Sequence, residues 1–282
     1  MIIDRLIEDI QAKSFVCVGL DPRLDLIPES FHGGSVSETL FSFNKEIIDA
    51  THDLAACFKP QIAFYEALGL EGLQAYARTV QYLRERGILV IGDIKRGDIS
   101  STADAYAKAH FTGDFEVDFI TINPYMGYDT LDAYLPYLEK ENKGVFVLVR
   151  TSNPGAGDIE GQQVSGQLLY EKIAEDLAQK AQDYLGKSGH SSLGFVFGGT
   201  QSEDIEAIRE NFKEIPFLIP GYGAQGAEAA DIKAYLGGGS NSIVNSSRGI
   251  IYAWRQVENG DQKVGEAARA AVQSMIREIQ EA

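Results

Sequence analysis

Short apolar, β-branched runs recur along the whole chain, at Phe15 to Leu20, Ala55 to Lys59, Ile88 to Ile91, Phe119 to Ile122, Val145 to Val149, Leu193 to Phe197, Phe217 to Ile219 and Ser242 to Val244. Between them lie segments with helical spacing, such as Leu73, Tyr76, Ala77, Val80 and Leu83, or Val264, Ala267, Ala268, Ala271, Val272, Met275 and Ile276. A strand-sized apolar run followed by a 3.6-period segment is the pattern of a parallel strand with a helical crossover. Eight such units in about 250 residues predict an α/β fold, a (β/α)8 TIM barrel, over an open doubly wound sheet. No Pro/Gly/Ser linker or shift in composition divides the chain, so residues 1–282 are expected to form a single barrel domain. The opening MIIDRLIEDIQAK reads as an amphipathic helix in front of it.

Composition narrows the function. With 25 basic and 41 acidic side chains the formal charge is −16, and a nucleic-acid partner, which draws on clustered Lys and Arg, is not expected. A chain that is 44% hydrophobic and 23% charged has ample material for a core. Its apolar runs fall far short of the ~20 residues a bilayer span requires. Asp4, Glu8 and Asp9 interrupt any signal-peptide core, so neither a membrane nor export is expected, and the location implied is cytoplasmic.

Cys17 and Cys57 cannot make a disulfide scaffold or a metal cage by themselves. Cys17 shares strand parity with Asp21, and Cys57 with Lys59, so both thiols should point into the barrel and be inert. His32, His52, His110 and His190 are scattered, with surface or helix-end placement expected. No metal-ligand spacing and no nucleophile elbow is present, which leaves the chemistry to Lys and Asp without a catalytic metal.

Polar residues follow the runs: Asp21 after the first, Lys59 closing the second, Asp93, Lys95 and Asp98 after the third, Asn123, Ser152 and Gly198-Gly199 after the next three, Gly221 to Gly226 after the seventh and Arg248 after the eighth. In a barrel the C-terminal strand ends share one mouth, where active sites of this architecture sit. If the third strand continues through Lys95, Asp93 and Lys95 face one side, and Gly97 lets the chain turn and return Asp98 toward them. With Lys59 the result is an array of two ammoniums and two carboxylates. Opposite charges favour the ionised form, so a lysine in that setting suits the role of proton donor to a developing carbanion. A salt-bridged rim that only holds the mouth together is the structural alternative.

Gly221-Tyr222-Gly223-Ala224-Gln225-Gly226 fits G-x-G-x-x-G, but a dinucleotide fold wants an acidic residue about 20 positions on. Here the chain reads Asn245-Ser246-Ser247-Arg248-Gly249. Loops after the seventh and eighth strands of a barrel frequently hold phosphate, and Arg248 would add a bidentate grip. The pattern implies a substrate carrying a phosphate monoester.

Asp93-x-Lys95-x-x-Asp98-Ile99, with Thr102 four residues after Asp98, resembles the signature of the orotidine 5′-phosphate decarboxylase family. Gly19-Leu20-Asp21, Phe58-Lys59-Pro60, Ser152-Asn153-Pro154-Gly155, Pro220 to Gly226 and Ser247-Arg248-Gly249-Ile250 support it over nearly the whole chain, whose length is similar to the longer bacterial form. Ser100 departs from the family's usual Gly or Pro. The resemblance implies conversion of orotidine 5′-monophosphate to UMP and CO2 in de novo pyrimidine synthesis, with no cofactor. It implies that Lys95 protonates C6, that Asp93 and Asp98 flank the departing carboxylate, and that Asp21 and Lys59 engage the ribose hydroxyls. Ser152 would meet the pyrimidine edge, Gln225 and Arg248 the phosphate, and Gly249 the substrate as well, with the loops around residues 155–161 and 221–226 closing over the nucleotide. It also implies a homodimer in which Asp98 and Thr102 reach into the partner's site.

Two other readings compete. A sugar-phosphate decarboxylase or synthase of the same barrel superfamily shares Asp-x-Lys-x-x-Asp but uses a metal and places an acidic residue where this chain has Lys59. A catalytically silent barrel that binds a phosphorylated ligand would not need Lys95 flanked by carboxylates.

Overall fold

A computed structural model describes residues 1–198, 205–222, 229–237 and 241–282. Eight of its strands form one parallel sheet: β1 (Val16–Leu20), β2 (Cys57–Pro60), β3 (Ile91–Arg96), β4 (Phe119–Ile122), β5 (Gly144–Arg150), β6 (Leu193–Phe197), β7 (Phe217–Ile219) and β8 (Ile243–Ser246). The sheet runs β2-β1-β8-β7-β6-β5-β4-β3, and the β2/β3 seam is closed by bridges Phe58 to Val90 and Gln61 to Asp93. Helices lie between successive strands, which makes the (β/α)8 barrel the alternating pattern predicts.

The strands depart from the apolar runs at their ends. The third run begins at Ile88, but the strand spans Ile91–Arg96, and the eighth continues through Ser246. An apolar run reports burial, whereas ladder bonds continue into the polar residues that line the mouth.

Alternation along each strand sorts its side chains between two cores. Val16, Val18, Val90, Ile120, Val145, Val147 and Val244 point outward into the cluster shared with the surrounding helices. Cys17, Cys57, Ile91, Phe119, Phe146, Val196, Leu218 and Ile243 point inward and form a second cluster inside the barrel. Both thiols are therefore interior, fully buried and free of any disulfide.

The inner cluster is completed by α1 (Ile2–Ala12), whose Ile2, Ile3, Leu6, Ile7 and Ile10 all join it. Their spacing puts them on one face, and that face caps the N-terminal end of the barrel.

Candidate active site

The site begins two residues further along the strands. Side chains repeat every second residue, so Cys57 is followed by Lys59, Ile91 by Asp93, Phe119 by Thr121 and Ile243 by Asn245. An apolar layer thus carries a polar floor. Above it opens a cavity of about 670 Å³, lined by Lys59, Asp93, Lys95, Asp21, Ser152 and Arg248 among others.

Asp93 holds two ammoniums at once. Lys59 Nζ lies 2.7 Å from its Oδ2 and Lys95 Nζ 2.6 Å from its Oδ1. Thr121 Oγ1 donates to the same Oδ1 at 3.0 Å. Burial by itself would raise the Asp93 carboxyl, but Lys59 and Lys95 hold it well below the usual carboxylate range. Burial would likewise lower Lys59, and the charges of Asp93 and Asp21 hold its ammonium above the usual lysine value. Lys59 is a fixed buried cation at 4% exposure. The Lys95 side chain is 46% exposed and reaches into the cavity.

Lys95 arrives there by a different route from the flat pleat expected of the sequence. The β3/β4 pairing slips between Gly92 and Arg96, and Lys95 itself adopts the left-handed region, with φ 45°. Such a conformation in a side chain-bearing residue costs about 1–3 kcal/mol and persists only where its surroundings enforce it. Thr121 supplies part of that enforcement, because its Oγ1 accepts the N–H groups of both Ile94 and Lys95 at 3.0 Å.

The bulge also redirects the chain beyond Arg96, and the expectation for Asp98 needs correcting. Gly97 does not bring Asp98 into the cavity lining beside Lys59, Asp93 and Lys95. It lets the backbone pass close to Asn123, whose carbonyl oxygen would lie 2.8 Å from an added Cβ. Asp98 is not in the lining of the cavity, and its Oδ1 accepts the N–H of Ile99 at 2.9 Å. Within one chain the array is therefore two ammoniums and one carboxylate. Ser100, the departure from the family pattern, takes φ 50°, a conformation glycine adopts without strain. Thr102 lies exposed on the helix Ser100–Phe111 and does not line the cavity.

The remaining expected residues divide. Asp21 lines the cavity, with its Oδ1 buried and unpartnered. Ser152 lines it from the loop after β5 and Arg248 from the start of the short helix Arg248–Ile251, in which Gly249 follows, exposed. Gly221 and Tyr222 reach the cavity, whereas Gln225, Gly226 and Gly199 lie outside the described residues. The loop after β5 folds on itself: Thr151 N–H donates to Glu160 Oε2 at 2.8 Å, and Gln163–Val164 pairs antiparallel with Gln167–Leu168.

Two residues of the site, Thr121 and Tyr252, do not stand out in the sequence. Parity could have found Thr121, two residues after inward Phe119. Tyr252 Oη accepts the Arg23 N–H at 2.7 Å and donates to the Asp21 carbonyl at 3.4 Å, a contact spanning 231 positions that no local pattern announces. His110 also differs from a surface placement: it is in the last turn of its helix but only 3% exposed. Among the described residues no three His, Cys, Asp or Glu side chains gather to hold a metal ion.

Comparison with known proteins shows the family. Residues 14–262 match the model of the orotidine 5′-phosphate decarboxylase / HUMPS family. The chain is 55% identical to the orotidine 5′-phosphate decarboxylase of Clostridium perfringens (strain 13 / Type A), over 100% of its own length and 99% of that protein. It is 52% identical to the enzyme of the same name from Petrotoga mobilis, over 99% and 98%. The structure of Leishmania donovani OMP decarboxylase superposes with a TM-score of 0.76 at 32% identity, covering 99% of this chain and 97% of that one. With a family model spanning the barrel and relatives matching end to end, this chain belongs to the orotidine 5′-phosphate decarboxylase / HUMPS family.

Proposed function

We propose that the chain decarboxylates orotidine 5′-monophosphate to UMP and CO2, the closing reaction of de novo pyrimidine synthesis, with Lys95 delivering the proton to C6. The observation that carries this reading is the Lys59–Asp93–Lys95 ion chain on the floor of a cavity that also has Arg248 in its lining. The bond from C6 to the carboxylate breaks, its electron pair stays on C6, and the proton comes from Lys95 Nζ. Lys95 then recovers a proton from water. The C6 carbanion has no adjacent π-system to spread its charge, so preorganised electrostatics must carry most of the acceleration. An ammonium pinned 2.6 Å from a buried carboxylate is such a device: it is in place before charge develops and needs little reorganisation.

In this reading Asp93 lies beside the departing carboxylate and orients Lys95, and Asp21 and Lys59 take the ribose hydroxyls. Ser152 meets the pyrimidine edge, and Arg248, Gly249 and Gln225 take the phosphate. Binding energy from the remote phosphate helps the loops after β5 and β7 exclude water. The second carboxylate comes from another copy: the active form is a homodimer in which Asp98 and Thr102 complete the partner's site. Support comes from their position outside their own cavity and from exposed Ile99 beside Asp98, and exposed Tyr125 and Met126 just after Asn123, whose backbone meets that of Arg96 and Gly97, at 47%, 79% and 51%. No cofactor takes part, and the enzyme works in the cytoplasm as one barrel domain per subunit. Lys59, inside the ion chain, stands where the metal-dependent alternative would need an acid.

Loss of orotidylate absorbance tests the proposal directly. Lys95→Ala is expected to lower kcat roughly ten-thousand-fold, the upper range for a general acid, while leaving the circular dichroism of the folded chain unchanged. Arg248→Ala is expected to raise KM by about 10–100-fold, the scale of one charge-assisted contact. Comparable turnover in the Lys95 variant overturns the proton-donor assignment, and loss of wild-type activity to a chelator favours the metal-dependent alternative.

A further inference from the structure

Arg96 takes part in none of the steps above, yet it adjoins Lys95 and is fixed at both backbone and side chain. Its carbonyl accepts the N–H of Asn123 at 2.8 Å. Its Nη2 lies 2.8 Å from Glu66 Oε1, its Nη1 donates to the Ile94 carbonyl at 3.4 Å, and its guanidinium carbon lies 5.3 Å from the ring centre of Tyr106. Glu66 is its only carboxylate partner among the described residues.

These contacts reach in two directions. Glu66 ends the helix Ile62–Glu66, which begins just past β2, the strand that carries Lys59. Tyr106 belongs to the helix Ser100–Phe111, which comes after Asp98 and carries Thr102. The left-handed turn at Lys95 is gripped on one side by Thr121. On the other side lie the Arg96 contacts, one residue along.

We propose that Arg96 is a positioning residue: it straps the tip of β3 to the helices Ile62–Glu66 and Ser100–Phe111, holding Lys95 in the turn that aims its ammonium at Asp93. The inference rests on the reading of Lys95 as proton donor. A planar guanidinium can meet a carboxylate, a carbonyl and an aromatic face at once, whereas a lysine ammonium at the end of a flexible stem is a single point charge. Loosening the strap would let Lys95 wander by a fraction of an ångström to an ångström, which lowers the chemical step and leaves the phosphate and ribose contacts intact.

The test is steady-state decarboxylation of orotidine 5′-monophosphate by the wild-type enzyme, Arg96→Met, Arg96→Lys, Glu66→Gln and the Arg96→Met/Glu66→Gln pair, with thermal unfolding of each. The expected result is a kcat about 10–100-fold lower in Arg96→Met, the scale of a small misplacement of a reacting group. KM should stay within about threefold. Glu66→Gln should show a smaller loss in kcat, the double variant should be no slower than Arg96→Met, and Arg96→Lys should recover only part of the rate. Wild-type kcat in Arg96→Met, a loss confined to KM, or additive effects of the two substitutions would overturn the inference. If Arg96→Met does not fold, Glu66→Gln and Arg96→Lys decide by the same split between kcat and KM. Lys95→Ala runs alongside: turnover there comparable to wild type sinks the underlying reading, whereas a Lys95→Ala slowed roughly ten-thousand-fold beside a fully active Arg96→Met sinks this inference alone.

Discussion

A single hydroxyl organises the end of β3. Thr121 Oγ1 accepts hydrogen bonds from two main-chain N–H groups of the bulge and donates one to Asp93. Valine has nearly the same shape and none of these bonds, so Thr121→Val should leave the fold intact and lower kcat by about 10–100-fold through misplacement of Lys95. An unchanged kcat in the absorbance assay would show that the bulge is held without it. The sequence displays Asp93, Lys95 and Lys59 because three charges at strand ends stand out. It does not display the left-handed backbone at Lys95, because lysine has no preference for that region and the cause lies on the neighbouring strand.

His110 offers a pH-dependent test at the same scale. Burial, with the Arg96 guanidinium adding to it, pushes its imidazole down to about 4. Because the native pKa lies below the unfolded value of about 6.5, the unfolded chain binds this proton first as pH falls. The contribution of His110 to stability is complete above that value and is lost between about 6.5 and 4, reaching roughly 2 kcal/mol of destabilisation at about pH 5. Urea midpoints at pH values of about 7.5 and 5, on either side of the unfolded pKa, should therefore differ more for wild type than for His110→Asn. Equal differences would mean that the imidazole is not desolvated in the native state.

At the scale of elements, α1 shows how a sequence pattern can be plain in type and hidden in purpose. Its apolar face is readable from spacing, but nothing local says that the face closes one end of a barrel. That depends on residues from several strands and their approaches, Cys17, Leu89, Phe119 and Val196 among them, meeting there. Leu6 is fully buried in this cluster. Leu6→Ala should cost about 2–5 kcal/mol, the range for a large-to-small change in a packed core. A shift of under about 1 kcal/mol in denaturant unfolding, well below that range, would place α1 outside the cooperative core. Strand count and order are legible in the alternation for the opposite reason: each β/α unit repeats the same local signal, and parallel pairing of successive units leaves few arrangements.

For the whole molecule, the fold brings Asp21, Lys59, Asp93, Ser152 and Arg248 to one cavity from positions spread across the chain. Sequence places them there because barrel topology puts every strand end at one rim. It misdirects Asp98, because a local turn is expected to do what the structure does not do within one chain. If the missing carboxylate comes from a second copy, specific activity should fall as the enzyme is diluted through its dimer dissociation range, in step with the subunit mass seen by light scattering. Activity independent of concentration in a demonstrably monomeric sample would remove the shared-site proposal.

The plug formed by α1 has one more effect. With the barrel interior beneath the cavity filled by the inner cluster and its lower end covered by α1, no path crosses the barrel, and the way in is also the way out. Nucleotide and gas alike must depart through the gate by which the substrate came, so any molecule lodged there delays exit as much as entry.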